Sequence, residues 1–309
     1  MEQIEGKSIT WKFPPTTNRQ GKTRNPHDLK HVVCFKSALF GNNVIISSDL
    51  HSHMFRTLDK IRKTTNIDMS QWDIITLGDM VGNGFFGSDG DPTAFYAELQ
   101  KEAKSLLEVQ GNHDLPPDPL GVAYAEFDKH ALLSNGEVRD TVHGFIGGVN
   151  GIMSGRPHPY KIPRREYMKY LRGLKKSGKL DFVATHDAPR YFHGERECVG
   201  DDEIYEVITK VLKPKVFMYG HCHHPCHTVH NGVHFINADA RLILINPPDD
   251  LNLNTEPVSN VSKVTESVST LPKPTIYVPV GMAAPTHIVY SASAKRRIRK
   301  KKAQQKLTT

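Results

Sequence analysis

The chain has 309 residues, with 40 Lys and Arg against 33 Asp and Glu, which gives a formal charge of +7. Eight of the positive charges lie in residues 295–309, which contain no acid, so residues 1–294 carry a net charge of −1. A domain with that net charge is not expected to bind nucleic acid along a whole face of its surface. The composition, 38% hydrophobic and 24% charged residues, is typical of a globular protein.

The sequence contains no apolar run near the ~18 residues that a membrane helix needs. Its first residues lack the basic and apolar regions of a secretion signal and the glycine of a myristoylation signal. Cys34, Cys198, Cys222 and Cys226 are too few for a disulfide framework. We therefore expect free thiols and an intracellular, cytoplasmic location, with a nuclear location through the basic tail as the alternative.

Residues 1–30 are polar and show no sustained periodicity, which predicts an extended N-terminal arm. Over residues 31–248, short runs rich in Val and Ile alternate with longer amphipathic stretches. The runs, in chain order, are HVVCF, NVIISS, WDIITL, LLEVQ, DFVAT, KVFMY, VHFIN and RLILI. Apolar runs of this length between helical stretches are typical of strands in an α/β domain.

Two helices are predicted from local signals. Asp91 followed by Pro92 is typical of a helix start, and apolar residues then recur at helical spacing. A second helix is predicted from Glu166 to Leu174, where Tyr167 and Leu171 lie on one stripe. After Pro248 the composition predicts a low-complexity and basic tail over residues 249–309, with two β-like segments within 275–291 that are either edge strands or loose segments.

Five of the apolar runs end directly in side chains that can bind metal ions. The clusters are Asp49-Leu50-His51, Gly78-Asp79, Gly111-Asn112-His113-Asp114, His186-Asp187 and Gly220-His221-Cys222-His223. Ligands of open α/β sheets bind beyond the carboxyl ends of the strands, so these clusters should converge on one crevice. Carboxylates, imidazoles and an amide oxygen suit Mn²⁺, Fe, Zn²⁺ or Mg²⁺. This many ligands favours two ions, whose positive charge in turn favours a phosphate substrate.

The ordered blocks DLH (49–51), GDMVGNG (78–84), GNHD (111–114), TH (185–186) and GHCH (220–223) resemble those of the calcineurin-like metallophosphoesterases. The resemblance covers roughly residues 40–246 and is greatest to the small metallophosphoesterase-domain and cyclic-nucleotide phosphodiesterase-like branch. It implies a β-sandwich of two mixed sheets flanked by helices, in α-β-β-α layers. This replaces the doubly wound sheet that the strand pattern alone suggests.

The resemblance also implies the roles of individual residues. One ion would be held by Asp49, His51, Asp79 and His223, and the second by Asp79 as a bridge with Asn112, His186 and His221. His113 would be the general acid, with Asp114 orienting it. We expect Mn²⁺ at both positions, with Fe, Zn²⁺ and Mg²⁺ as alternatives.

The predicted activity is hydrolysis of a phosphomonoester or phosphodiester, including a nucleotide, by in-line attack of a hydroxide held by both ions. Asn112 and Arg190 are the candidate substrate contacts, with Arg156 as an alternative to Arg190. Protein phosphatases of the superfamily carry GDxVDRG, and here Gly82 and Asn83 take the places of its second Asp and its Arg. A phosphoprotein substrate is therefore disfavoured.

Two alternatives remain open at this stage. One is a nuclease, and the other is a non-catalytic scaffold whose tail, residues 295–306, binds nucleic acid or an anionic membrane surface. Cys222, Cys226, His230 and His234 superficially resemble a zinc finger, but three residues separate the two pairs where about twelve are usual. His53 continues the alternation of Asp49 and His51 and is a candidate third ligand, although a place in the substrate cleft or a solvated position is favoured.

Overall fold

The computed structural model describes residues 1–13, 16–17, 23–24, 29–81, 90–114, 131–156 and 160–253. All of these belong to one compact unit, Met1–Ser259. Gly82, Asn83, the β-like segments at 275–291 and the basic segment 295–306 lie outside the described residues. The limits drawn from the sequence at residues 30 and 248 stay predictions.

The described strands and helices are numbered here in chain order. The strands are β1 Glu2–Lys12, β2 Thr16–Thr17, β3 Thr23–Arg24, β4 Leu29–Lys36, β5 Val44–Ser48, β6 Asp73–Leu77, β7 Ser105–Val109, β8 Val138–Thr141, β9 Gly144–Val149, β10 Ile152–Met153, β11 Lys161–Ile162, β12 Phe182–Thr185, β13 Tyr191–His193, β14 Arg196–Cys198, β15 Val216–Tyr219, β16 His227–His230, β17 Val233–Asn237 and β18 Arg241–Ile245. The helices are α1 Met54–Thr64, α2 Thr93–Glu102, α3 Arg164–Gly173 and α4 Asp202–Glu206, which continues as a π-helical segment, Val207–Leu212. Short 3₁₀ turns span His51–His53, Met69–Gln71 and Leu174–Ser177.

Two mixed sheets of six strands each dominate the described part of the chain. The first has the spatial order β1-β4-β18-β5-β6-β7, and the second has the order β16-β17-β15-β12-β9-β8. Strands β5, β6 and β7 run parallel to one another, whereas β18 runs antiparallel to β5. In the second sheet β9, β12, β15 and β17 are parallel, and antiparallel strands flank them on both sides.

The two sheets pack face to face and each carries helices on its outer face. Ile46 and Ile75 of the first sheet share a buried cluster with Ile146, Phe182 and Met218 of the second. A second buried cluster joins the outer face of the first sheet to α1 and α2, and a third joins the second sheet to α3 and α4. These layers confirm the predicted α-β-β-α sandwich of two mixed sheets.

The local predictions for the two helices agree with the structure. The Oδ1 atom of Asp91 accepts a hydrogen bond from the main-chain N–H of Thr93 at 2.9 Å, and α2 begins at Thr93. Helix α3 begins two residues before the predicted start and is extended by a 3₁₀ turn beyond Gly173. Each of the eight Val- and Ile-rich runs contains a strand.

The description of residues 1–30 as an arm is wrong for the N-terminal segment. Residues Glu2–Lys12 form the edge strand β1, which pairs antiparallel with β4. Trp11 and Phe13 are buried, and the intervening Lys12 is exposed. A register shift between Gln3 and Ser8 interrupts the alternation, and this explains why the sequence shows no sustained period of two.

None of the helices in the described ranges combines the length and apolarity required to cross a membrane. The four cysteines are free thiols, as the sequence predicts.

Candidate metal centre

The ends of strands from both sheets bring acidic and imidazole side chains together. Asp49 and His51 follow β5, and Asp79 follows β6, while His186 and His221 follow β12 and β15 of the other sheet. The ligand atoms of Asp49, His51 and Asp79 lie within 4.8 Å of one another, and so do those of Asp79, His186 and His221. The structure therefore brings together two groups of candidate ligands that share Asp79.

The backbone of these candidate ligands adopts an unusual conformation. Asp49, His51, Asp79 and His221 have positive φ angles of 56°, 50°, 53° and 64°. A non-glycine residue in this region costs on the order of 1 kcal/mol or more, and such strain concentrates at functional sites. Main-chain bonds from Asp49 N to Gly78 O and from His51 N to Asp79 O, both 3.0 Å long, hold the first two turns against each other.

Glycines make room for this packing of turn against turn. A Cβ atom on Gly111 would overlap the carboxylate and main-chain N of Asp79. A Cβ atom on Gly220 would overlap the Ser48 hydroxyl and lie 2.7 Å from Asp49 Oδ2. The absence of a side chain at these two positions therefore lets candidate ligands from different strands approach each other.

Hydrogen bonds to main-chain carbonyls orient two of the imidazoles. His186 Nδ1 lies 2.7 Å from Leu77 O, and His51 Nδ1 lies 3.2 Å from Val81 O. A carbonyl oxygen only accepts, so each Nδ1 must carry the proton and each Nε2 has its lone pair toward the centre. His186 Nε2 is 3.3 Å from Asp79 Oδ2, and His51 Nε2 is 3.8 Å from Asp49 Oδ1. This tautomer is the one that binds metal through Nε2.

Asn112 provides a direct test of whether the site fits metal ions. Its side chain is buried, and its Oδ1 atom accepts no hydrogen bond from the described residues. A buried acceptor without a donor destabilises a fold by about 1–3 kcal/mol. Coordination of a cation would satisfy this oxygen, and the carboxylate, imidazole and amide donors around it suit divalent ions. The residues present therefore fit the two ions that the sequence predicts.

The electrostatics of the centre reflect an excess of buried carboxylates. Burial and the neighbouring Asp239 raise the pKa of Asp49 to about 6. Burial alone would raise the pKa of Asp79, but the His186 imidazole holds it below its usual value. Against the effect of burial, Asp79 and Asp49 raise the pKa of His186 to about 10. The raised pKa values of Asp49 and His186 follow from carboxylate charge gathered in a buried site, which would strongly attract a divalent cation.

Asp114 holds the turn that carries Asp79. Its Oδ2 atom accepts hydrogen bonds from the N–H groups of Asp79 and Gly111, each 2.8 Å long, and its Oδ1 atom accepts from Met80 at 3.1 Å and Val81 at 3.4 Å. Burial and the nearby Asp79 raise the pKa of Asp114 to about 7. Both oxygens therefore hold the main chain of the Asp79 turn, and the orientation of His113 by Asp114 stays a prediction.

His113 lies beside the two ligand groups. Its main-chain N–H donates to Asp79 Oδ1 at 2.8 Å, and its ring meets the His51 ring edge to face with centroids 5.8 Å apart. The side chain is partly exposed. His113 therefore lies next to residues of both ligand groups, and its role as a general acid stays a prediction.

A family model described as calcineurin-like phosphoesterase matches residues 43–225. The chain belongs to this family. Members of the family typically bind two divalent metal ions, and the two Asp and His groups of this phosphoesterase are the candidate ligands. No curated protein matches the chain by sequence.

Solved structures agree in fold. The protein TT1561 of Thermus thermophilus is 16% identical with a TM-score of 0.50, and the match covers 64% of this chain and 90% of that one. The phosphopantetheinyl hydrolase of Mycobacterium tuberculosis is 15% identical with a TM-score of 0.43, and the match covers 67% and 96% of the two chains. The first of these likenesses supports the fold, and neither identifies a substrate.

His223 and Arg190, both predicted for the site from the sequence, lie outside the two ligand groups and have acidic partners. His223 has a side chain that is 62% exposed, and its Nδ1 atom pairs with the carboxylate of Asp239. Arg190 extends toward Asp202 and Glu197, at 3.3 Å and 3.6 Å. The charge of Arg190 is therefore already paired, which weakens the case for it as a phosphate ligand. The alternative, Arg156, is exposed.

Asp239 and Lys30 are components of the centre that the sequence reasoning missed. Asp239 is buried, follows β17 by two residues, and influences the pKa of Asp49. The rule that identified the other clusters would have found it, because VHFIN is also an apolar run that ends beside an acid. Lys30 is fully buried, and its Nζ atom donates to Asp49 O at 2.7 Å. Nothing in the local sequence around Lys30 indicates this.

Several further histidines of the described structure contact other rings. His227 Nε2 and His234 Nδ1 form a hydrogen bond of 3.0 Å, and His230 packs on Tyr191 with ring centroids 4.5 Å apart. Cys222, Cys226, His230 and His234 form no metal-binding group in the described structure, so the zinc-finger interpretation is not supported. His53 is fully buried and stacks on Phe13 at 5.0 Å, which excludes the solvated position considered for it.

Proposed function

We propose that this phosphoesterase hydrolyses a small phosphomonoester or phosphodiester, nucleotides included, with two divalent ions, of which Mn²⁺ is the first candidate. The observation that carries the proposal is the pair of ligand groups that share Asp79. A carboxylate common to two groups within 4.8 Å can bridge two ions, and such two-metal sites are typical of phosphoryl-transfer enzymes.

In the proposed assignment each ion has ligands from both sheets. Asp49, His51, Asp79 and His223 would hold one ion, and Asp79, Asn112, His186 and His221 the other. When bound, the ions lower the pKa of a water molecule and neutralise charge on the phosphoryl oxygens. The amide of Asn112 would also contact a substrate oxygen.

Two neighbouring residues have separate tasks in the proposed reaction. His113 would donate a proton to the oxygen of the leaving group, since its main chain is fixed on Asp79 and its ring lies at the rim. Asp114 would keep the Asp79 turn in place through its four main-chain hydrogen bonds. Arg190 would contact only those substrates that displace its carboxylate partners.

The charge distribution favours a small substrate over a nucleic acid. Several described arginines are neutralised by carboxylates, namely Arg62, Arg139, Arg164, Arg172 and Arg190. The net charge of residues 1–294 is −1. A protein that binds the phosphate backbone of a nucleic acid needs a row of cationic side chains that are not paired with carboxylates. The basic segment 295–306 lies outside the described residues, and its role as an address or a partner site stays a prediction.

The proposal is tested with full-length protein stripped of metal by a chelator. Hydrolysis of p-nitrophenyl phosphate and bis-p-nitrophenyl phosphate is measured before and after addition of Mn²⁺, Fe²⁺, Zn²⁺ or Mg²⁺. We expect no hydrolysis of either compound without metal and turnover of at least one of them with Mn²⁺. The ratio of the two rates then defines the preference for a monoester or a diester.

Asp59→Asn is a suitable control variant, because this exposed carboxylate pairs with Arg62 on the surface, away from every residue of the proposed site. It should hydrolyse both compounds as the wild type does. A wild-type protein that binds metal and hydrolyses neither compound, but binds DNA in a salt-dependent way, would contradict the proposal and favour the scaffold.

A further inference from the structure

Among the imidazoles assigned to the centre, His223 has a different partner. The Nδ1 atoms of His51 and His186 meet main-chain carbonyls, whereas Nδ1 of His223 pairs with the carboxylate of Asp239. His223 is also the exposed member of the set, with 62% of its side chain accessible, while His51 and His186 are buried. An exposed ring is not held by packing, so its orientation depends on this one ion pair.

The carboxylate of Asp239 is itself firmly placed. Its side chain is 4% exposed, and its backbone forms a bridge with Ser48, the residue before Asp49. The Arg241 guanidinium donates to the main-chain oxygen of Asp239 at 3.2 Å. The buried ammonium of Lys30 donates to Asp49 O at 2.7 Å, next to Ser48, the bridge partner of Asp239. A fixed anion therefore lies between the exposed imidazole and the end of β5.

A carboxylate on one nitrogen of an imidazole has two effects on the other nitrogen. It keeps the proton on Nδ1, so that Nε2 carries the lone pair, and it increases the basicity of the ring. It also restricts rotation of the side chain, which reduces the conformational entropy that coordination would remove. Both effects strengthen a metal–Nε2 bond.

We propose that Asp239 is a positioning residue of the metal centre, which holds His223 through Nδ1 so that Nε2 is presented to one of the two ions. The inference rests on the proposed function, since it concerns the ion that His223 would bind in that site. It assigns Asp239 no contact with substrate. The other ion, with Asn112, His186 and His221 as ligands, does not depend on Asp239.

The test measures Mn²⁺ binding to chelator-treated, full-length protein by titration calorimetry, without substrate. Asp239→Asn should weaken one of the two binding events by about 10–100-fold and leave the other unchanged. His223→Ala should weaken the same event. In the double variant, Asp239→Asn should add no further loss to that of His223→Ala, because its effect passes through the imidazole.

Asp59→Asn serves as the matched control, since it removes an exposed carboxylate that pairs with the surface residue Arg62. It should bind Mn²⁺ as the wild type does. Melting temperatures measured in chelator report on structural damage. If Asp239→Asn lowers that temperature, the double variant still decides, because a general loss of structure would persist in the His223→Ala background.

The outcomes separate this inference from the proposed function. If Asp239→Asn bound both Mn²⁺ ions with wild-type affinity, the inference would be overturned and the proposed function would stand. The same holds if the variant lost affinity equally at both ions. A wild-type protein that binds no divalent ion would overturn the proposed function, and the inference with it.

Discussion

The two ends of strand β6 each carry a buried Asp–His pair of the same dimensions. Asp73, the first residue of the strand, lies 3.3 Å from Nε2 of His143, and Asp79, which follows the strand, lies 3.3 Å from Nε2 of His186. All four side chains are at most 3% exposed. In the described structure only the second pair belongs to a candidate metal group.

The surroundings of the two pairs explain the difference. Asp73 accepts a hydrogen bond of 2.6 Å from the Ser105 hydroxyl and has the Lys104 ammonium at 4.0 Å, so its negative charge is compensated locally. Burial outweighs Asp73 and lowers the pKa of His143. At the other end of β6 Asp79 and Asp49 outweigh burial and raise the pKa of His186 to about 10.

The comparison shows that an Asp–His pair does not by itself make a metal site. The metal centre has more buried carboxylate charge than its protein partners neutralise, and it has strained turns that aim the side chains at one point. The pair of Asp73 and His143 joins the first sheet to the turn between β8 and β9 of the second, which is a structural task. Four predictions test this distinction, from the largest expected effect to the smallest.

The strongest test removes one carboxylate from each end of β6. Asp79→Asn should abolish Mn²⁺ binding and reduce hydrolysis of p-nitrophenyl phosphate by at least about 10³-fold, because both ions lose a ligand. Asp73→Asn should leave metal binding and turnover unchanged while it lowers the free energy of unfolding. Calorimetric Mn²⁺ titrations and initial rates check both variants. A comparable loss of activity in Asp73→Asn would show that the two ends are not functionally distinct.

The second test separates proton donation from metal binding. His113→Ala should retain two bound Mn²⁺ ions and lose about 10²–10⁴-fold in rate with substrates whose leaving groups are alkoxides. With p-nitrophenolate, a good leaving group, the loss should be much smaller. Rates across leaving groups of increasing pKa check this. A uniform loss across the series would contradict the role of His113 as a general acid.

The third test concerns Glu108, a buried carboxylate that, unlike Asp73 and Asp79, is not paired with a histidine. The side chain of Glu108 accepts from the neutral amide of Gln110, and burial together with Asp114 raises its pKa from 4.5 to about 8. The folded state therefore keeps a proton that the unfolded state loses above pH 4.5, so Glu108 reduces stability as pH rises toward 8. Glu108→Gln should increase the free energy of unfolding by about 1–3 kcal/mol above pH 8 and have little effect near pH 4.5.

Urea denaturation at several pH values, in the presence of a chelator, measures the effect of Glu108→Gln. Glu195→Gln is the control, since Glu195 lies on the exposed turn between β13 and β14. An equal shift of the urea midpoint at pH 4.5 and pH 8 would mean that the carboxylate is not protonated in the folded state.

The smallest expected effect is at His143. Burial is the main influence on its pKa, opposed by Asp73 and assisted by Lys104, and the pKa falls below 6.5. The unfolded state then binds the proton more tightly, so stability contributed by the neutral ring is lost as pH falls below 6.5. His143→Gln should make the urea midpoint less dependent on pH between 7 and 5, with no change in Mn²⁺ affinity. An unchanged pH dependence would contradict this account of the pair.

Sequence reasoning succeeded where short segments carry the information. Asp49, Asp79, Asn112, His186 and His221 were all identified because each follows an apolar run, and the ends of strands meet at one edge of a sheet. The strands themselves could be read from the clustering of Val and Ile. The same reasoning overlooked β1, whose register shift hides the alternation. It also did not foresee that the Asp114 carboxylate accepts hydrogen bonds from four main-chain N–H groups.

The sequence by itself thus determined the strand set, the family and the residues at the centre, because these depend on local composition and spacing. Only the tertiary structure decided which charges are paired. Arg190 is neutralised by Asp202 and Glu197 across a hairpin, and Lys30 meets Asp49 through the pairing of distant strands. The contact of Asp239 with His223 depends in the same way on the register of β17 and β18 against β5 and β15. Partners of this kind are separated along the chain, so their interaction exists only once the strands that carry them have paired.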